Sequence, residues 1–129
     1  MARRDLESVK TSLEARRTEL VEDLERMGDE IQSIGVEQEK ERGGLGNHFA
    51  DDGSSVMEAE RLSTMRADLS DLLSQIDAAL HRMGTGEFGI CQRCHQEIGA
   101  ERLEAFPYVA YCINCQTILE REQALLSGG

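Results

Sequence analysis

A chain of 129 residues has room for one domain, or for a small module attached to one long element. It carries 25 acids against 14 bases, a formal net charge of −11, so its surface repels phosphate backbones and anionic membranes alike. With 40% hydrophobic and 30% charged residues but only three Phe, two Tyr and no Trp, the composition suits long amphipathic helices. It does not suit a broad aromatic core or a disordered chain.

The opening run Met1-Ala2-Arg3-Arg4-Asp5 has no apolar stretch behind it, and nothing approaches the ~18 to 20 apolar residues of a membrane span. A cytoplasmic protein without a secretory signal is expected. From about Asp5 to Arg42 there is no proline, and only Gly28 and Gly35 interrupt good helix formers. Leu6, Leu13, Leu20, Met27 and Ile34 recur every seven residues. A second row, four positions on, is polar at Lys10 and Arg17, then apolar at Leu24 and Ile31. This seam predicts a coiled-coil helix, roughly 55 Å long at ~1.5 Å per residue.

A second helix is expected over about Ser55 to Met83. Its seam is Leu62, Met65, Leu69, Leu72, Ile76, Ala79 and Met83, with Leu73 and Leu80 widening the apolar face. Ser54 or Ser55 is the expected cap, Glu58 is in place for a capping box, and Gly84-Thr85-Gly86 is the stop. Two helices with matching seams fold back most simply as an antiparallel hairpin. The connection, 43–54, is longer than the ~2 to 8 residues usual between bundle helices. Composition alone reads it as a solvated loop. As a functional element it is a recognition tip, with Leu45 and Phe49 exposed and Asp51 and Asp52 charged.

From Glu87 to Cys115 the helical period gives way to short segments and turn residues. Thr117 to Leu126 then reads as a final helix, with Ile118, Leu119, Leu125 and Leu126 on its apolar side. Within the intervening stretch lie Cys91-Gln-Arg-Cys94 and, after 17 residues, Cys112-Ile-Asn-Cys115. In a reducing compartment such crowding points to metal ligation rather than disulfides. Zn²⁺ takes four tetrahedral ligands and thiolate suits it; a two-residue gap turns both sulfurs of a pair onto one ion. One structural Zn²⁺ held by Cys91, Cys94, Cys112 and Cys115 is therefore expected. Four protein ligands leave no open position for an activated water, which argues against zinc catalysis.

Cys91-Gln-Arg-Cys94-His95 also satisfies the c-type haem pattern, but haem would leave Cys112 and Cys115 unexplained. A thioredoxin-like pair would want a βαβ context, which is lacking. A zinc-regulated thiol switch uses the same four ligands and stays open as an alternative. His95 reads as a turn residue. Arg93 and Arg102 are placed to offset part of the thiolate charge.

The run Glu87-Phe-Gly-Ile-Cys-Gln-Arg-Cys, then Ile98-Gly99, Arg102-Leu-Glu-Ala-Phe-Pro107 and Cys112-Ile-Asn-Cys115-Gln-Thr, resembles the zinc-finger signature of the DksA/TraR family. The resemblance extends from about His48 to Leu126; the first helix matches only in kind. It implies a bacterial transcription factor that binds RNA polymerase rather than DNA. The coiled coil would enter the secondary channel, and acidic tip residues would act near the catalytic magnesium. Counted back from Cys91 without gaps, the family's Asp-x-x-Asp-x-Ala tip falls on 48–53. Asp51 then matches the second aspartate, while His48 replaces the first and Gly53 the alanine. Some members respond to guanosine tetraphosphate. The second helix here offers only Arg61, Arg66 and Arg82, widely spaced, and no alarmone residue is carried over.

The expected architecture is mainly α: an antiparallel coiled-coil hairpin over 1–86 with a tip loop at 43–54, then a four-cysteine zinc-finger module with a C-terminal helix over 87–129. The expected function is regulation of transcription through RNA polymerase, by a monomer with no catalysis, no sequence-specific DNA binding and no membrane association. Asp51, then Asp52 and His48, are the tip residues. The alternative is a coiled-coil stress or scaffold protein in which zinc only stabilises the fold.

Overall fold

The computed structural model describes residues 3–42 and 49–127, with side chains over 5–35 and 54–127. Four helices follow one another: α1 (Arg3–Arg42), α2 (Phe49–Thr85), α3 (Ala100–Ala105) and α4 (Ile113–Ser127). Among the described residues there is no strand beyond a single antiparallel bridge between Ile90 and Glu97. No helix among them is long and apolar enough to cross a membrane.

The heptad pattern of α1 meets its expectation. Leu13 and Leu20 are 2% and 0% exposed, and Leu6, Met27 and Ile34 are half-buried, while Lys10 and Arg17 face solvent. On α2, Leu62, Ile76 and Ala79 are buried, with Leu69, Leu72 and Met83 half-buried. Met65 departs from the expected seam: it is 41% exposed, and its sulfur accepts only a long contact from Arg61. Arg66 turns towards α1 instead, and its Nε donates to the Leu24 carbonyl at 3.3 Å. Gly28 makes room for it, since a Cβ there would lie 3.4 Å from the guanidinium.

Helix α2 begins six residues before the expected Ser55, so neither Ser54 nor Ser55 caps it and the second half of the expected loop is helical. Asp51 and Asp52 fall in its first turn, where acids favour the positive end of the helix dipole. Only Gly53 opposes helix there, at about 1 kcal/mol. Cooperative extension of a long helix carries such a position.

Close packing divides the chain into two compact units. One spans Arg17–Leu73, its described residues all helical, α1 pairing with the first part of α2 and Leu20 and Leu62 buried. The other joins Met1–Arg16 to Ser74–Gly129. In it the start of α1 pairs with the end of α2, burying Leu13, Ile76 and Ala79, and the cysteine module follows. Early α1 with late α2, and late α1 with early α2, is the pairing of an antiparallel hairpin.

Candidate metal centre

Helix α2 stops where its chemistry demands. Gly86 takes φ 80°, a left-handed conformation that costs an L side chain about 1 kcal/mol, and the Glu87 N–H returns to the Arg82 carbonyl at 2.9 Å. The chain then turns twice. The Ile98 N–H donates to the Gly89 carbonyl and the Cys91 N–H to that of Gln96, at 2.9 and 2.8 Å. These bonds close a knuckle whose apex is His95, held at φ 61° by its N–H to the Cys91 carbonyl. His95 is exposed and serves as the expected turn residue.

The second cysteine pair is built differently. The Gln116 N–H donates to the Cys112 carbonyl at 2.9 Å, which makes Cys112 the residue that opens α4. Its sulfur accepts the Cys115 N–H at 3.5 Å, as a capping oxygen would. The helix therefore starts at Ile113, four residues before the expected Thr117, because the cysteine itself supplies the cap. Thiolate is favoured at such a helix start.

The four Sγ atoms of Cys91, Cys94, Cys112 and Cys115 lie within 4.8 Å of one another. Tetrahedral zinc with Zn–S near 2.3 Å requires sulfurs about 3.8 Å apart, and those of Cys94 and Cys112 stand at 3.9 Å. The four thiols thus fit one zinc ion, with no side chain needing to move far. Cys91 and Cys115 are 0% and 3% exposed, and Cys94 and Cys112 are half-buried. A small core of Ile98 and Leu103, with Phe88, Val109 and Tyr111 packed on it, encloses the buried pair.

Electrostatics separates the thiols. Burial raises Cys91, but the backbone N–H groups of Cys94, Cys112 and Arg93 outweigh it and lower the thiol to about 6. Cys115 is pushed up to about 11, by burial first; Arg93 pulls the other way, and the neighbouring sulfurs add to the rise. Thiolates are the form that would hold zinc, so binding the ion would release the thiol protons.

Of the two arginines expected beside the cluster, one is there. Arg93 Nη1 donates to Cys115 Sγ at 3.7 Å. Arg102 does not reach sulfur; its Nε donates to the Tyr111 carbonyl at 3.0 Å, fixing the segment that leads into Cys112. Sequence reasoning missed Arg82. It is 7% exposed, its Nη2 reaches the Val109 carbonyl at 3.4 Å, and burial lowers its pKa against the pull of Tyr111 and Glu87. The available signal was a cation one turn beyond Ala79 on the buried face of α2. Of the tip residues, His48 lies outside the described residues, as do the side chains of Asp51 and Asp52.

Residues 86–121 match the prokaryotic DksA/TraR C4-type zinc-finger family, whose metal is zinc. General stress protein 16O of Bacillus subtilis is 34% identical over 91 residues, 70% of this chain and 56% of that one. An uncharacterised protein of Aquifex aeolicus is 31% identical over 117 residues, 91% of this chain and 77% of that one. The RNA polymerase-binding transcription factor DksA of Haemophilus influenzae is 40% identical over 57 residues, 44% of this chain. This chain spans only 39% of that protein's length. The fold is shared with transcription factor DksA2 of Pseudomonas aeruginosa, with a TM-score of 0.73 over 95% of this chain and 88% of the other at 24% identity. With its zinc finger matched over 86–121 and a relative 31% identical along 91% of its length, the chain is a member of the DksA/TraR family.

Proposed function

We propose that this protein binds bacterial RNA polymerase directly and regulates transcription, with zinc in a structural role. The observation that carries the reading is the combination of a helical hairpin with a fully protein-ligated cysteine cluster, in a chain 40% identical over 57 residues to an RNA polymerase-binding factor. The hairpin, residues 1–86, enters the secondary channel. The module over 87–129 stays outside and docks on the rim. Asp51, helped by Asp52 and with His48 in place of the family's first acid, acts near the catalytic magnesium, because Mg²⁺ takes oxygen ligands. The net charge of −11 supports contact with protein rather than with DNA, and a cytoplasmic monomer with no catalysis of its own completes the reading.

A second reading has its own support. The resemblance to General stress protein 16O covers 70% of this chain and favours a stress or scaffold protein in which zinc only stabilises the fold. Purified RNA polymerase separates the two. The zinc-loaded protein is expected to co-elute with core enzyme on a sizing column, and to compete with other secondary-channel ligands. If no complex forms, the polymerase reading falls and the scaffold reading takes its place.

A further inference from the structure

Arg93 lies between the two cysteines of the first pair but directs its guanidinium at the second. Its Nη1 donates to Cys115 Sγ at 3.7 Å, across 22 residues of chain. Four thiolates around Zn²⁺ leave a net charge of about −2. Glu122 follows Cys115 by seven residues, two turns along the same face of α4, and adds a further negative charge. Cys115, Glu122 and Cys91 all act electrostatically on Arg93. Arg102, the other cation expected here, donates to the Tyr111 backbone instead. The Arg93 bond is the hydrogen bond from a charged group to the cluster that the described residues offer.

We propose that Arg93 is a positioning residue of the zinc centre: it draws charge from the Cys115 thiolate and so slows both the release of zinc and electrophilic attack on that sulfur. A charge-assisted N–H···S bond stabilises the lone pairs that would otherwise capture a proton or an electrophile. It also relieves repulsion among four crowded thiolates, which a single dication only half neutralises. Cys94 and Cys112 are half-buried and receive no such bond from Arg93, so they are the sulfurs left open to reagents. Arg93 therefore makes the cluster asymmetric: Cys115 is the sulfur it holds, and the half-buried Cys94 and Cys112 are where zinc leaves. The inference concerns the metal alone and does not rest on polymerase binding.

The test uses the full chain as wild type, Arg93→Ala and Arg93→Lys, loaded with zinc or with cobalt(II). Three quantities are followed: zinc transfer to excess chromogenic chelator, the sulfur-to-cobalt charge-transfer band, and alkylation of each cysteine by N-ethylmaleimide, read by mass spectrometry. Arg93→Ala is expected to release zinc about tenfold faster, in the range for loss of an outer hydrogen-bond partner. Its charge-transfer band moves to lower energy because the sulfur lone pairs rise, and Cys115 gains reactivity while Cys94 and Cys112 do not. Arg93→Lys, which keeps the charge but not the planar fork, falls between. A band at the wild-type energy, or equal gains at all four cysteines, assigns Arg93 to general packing and overturns the proposal. Should Arg93→Ala not fold, the band of Arg93→Lys decides in the same way.

Discussion

Cys112 has two tasks that substitution can separate. Its sulfur belongs to the cluster and also accepts the Cys115 N–H at the start of α4. Serine is a good helix cap but a poor zinc ligand, so Cys112→Ser keeps the start of α4 and removes the metal. Metal analysis is expected to fall from one zinc per chain to near none. Hydrogen exchange should then show residues 87–111 losing protection while 17–73 keep theirs, and protection of both segments alike would show that the cluster does not hold the module. The ligand set was legible in the sequence because C-x₂-C geometry is local: two residues turn both sulfurs onto one ion whatever surrounds them. The partner of Arg82 was not legible, and for Arg93 only its place beside the thiolates was, not which sulfur it meets. Their acceptors lie 27 and 22 residues away, and only the folded module brings them within reach.

At the scale of the helices, burial ranks positions that the sequence had treated as equal. Leu20 is 0% exposed and Met65 is 41% exposed, although both stood in an expected seam. Leu20→Ala should cost about 2 to 4 kcal/mol, and Met65→Ala no more than about 0.5 kcal/mol, in urea unfolding of the zinc-loaded protein. Equal costs would mean that the Arg66 crossing does not set the register. Glycines divide in the same manner. Gly35 sits within α1 with nothing within 4 Å of an added Cβ, so Gly35→Ala should gain about 1 kcal/mol of stability. Gly86, at φ 80°, should lose about 1 kcal/mol on the same change, and a thermal shift of the same sign for both would refute the assignment. The heptads announced α1 almost to its ends because burial repeats with the sequence. The start of α2 was misplaced because Gly53 and two serines imitate a helix start, whereas the helix runs on through them to Phe49.

For the whole molecule, regulation and attachment should come apart. On the proposed reading, two tip carboxylates add little to the affinity for polymerase, because the energy of a protein interface comes from buried area rather than from exposed charges. Asp51→Asn is therefore expected to bind polymerase within about threefold of wild type, less than 1 kcal/mol, yet to lose its effect in transcription assays. His48→Asp should strengthen that effect by restoring the family's first acid. Full regulation by Asp51→Asn would remove the tip from the mechanism. The second compact unit has a different consequence, one that concerns synthesis. It joins Met1–Arg16 to residues from Ser74 onward, so Leu13 packs against chain that does not yet exist when Leu13 is made. At ~5 to 20 residues per second, the intervening stretch of about 60 residues takes the ribosome about 3 to 12 seconds. Until then the Leu13 face of α1 has no partner from the later half of its own unit.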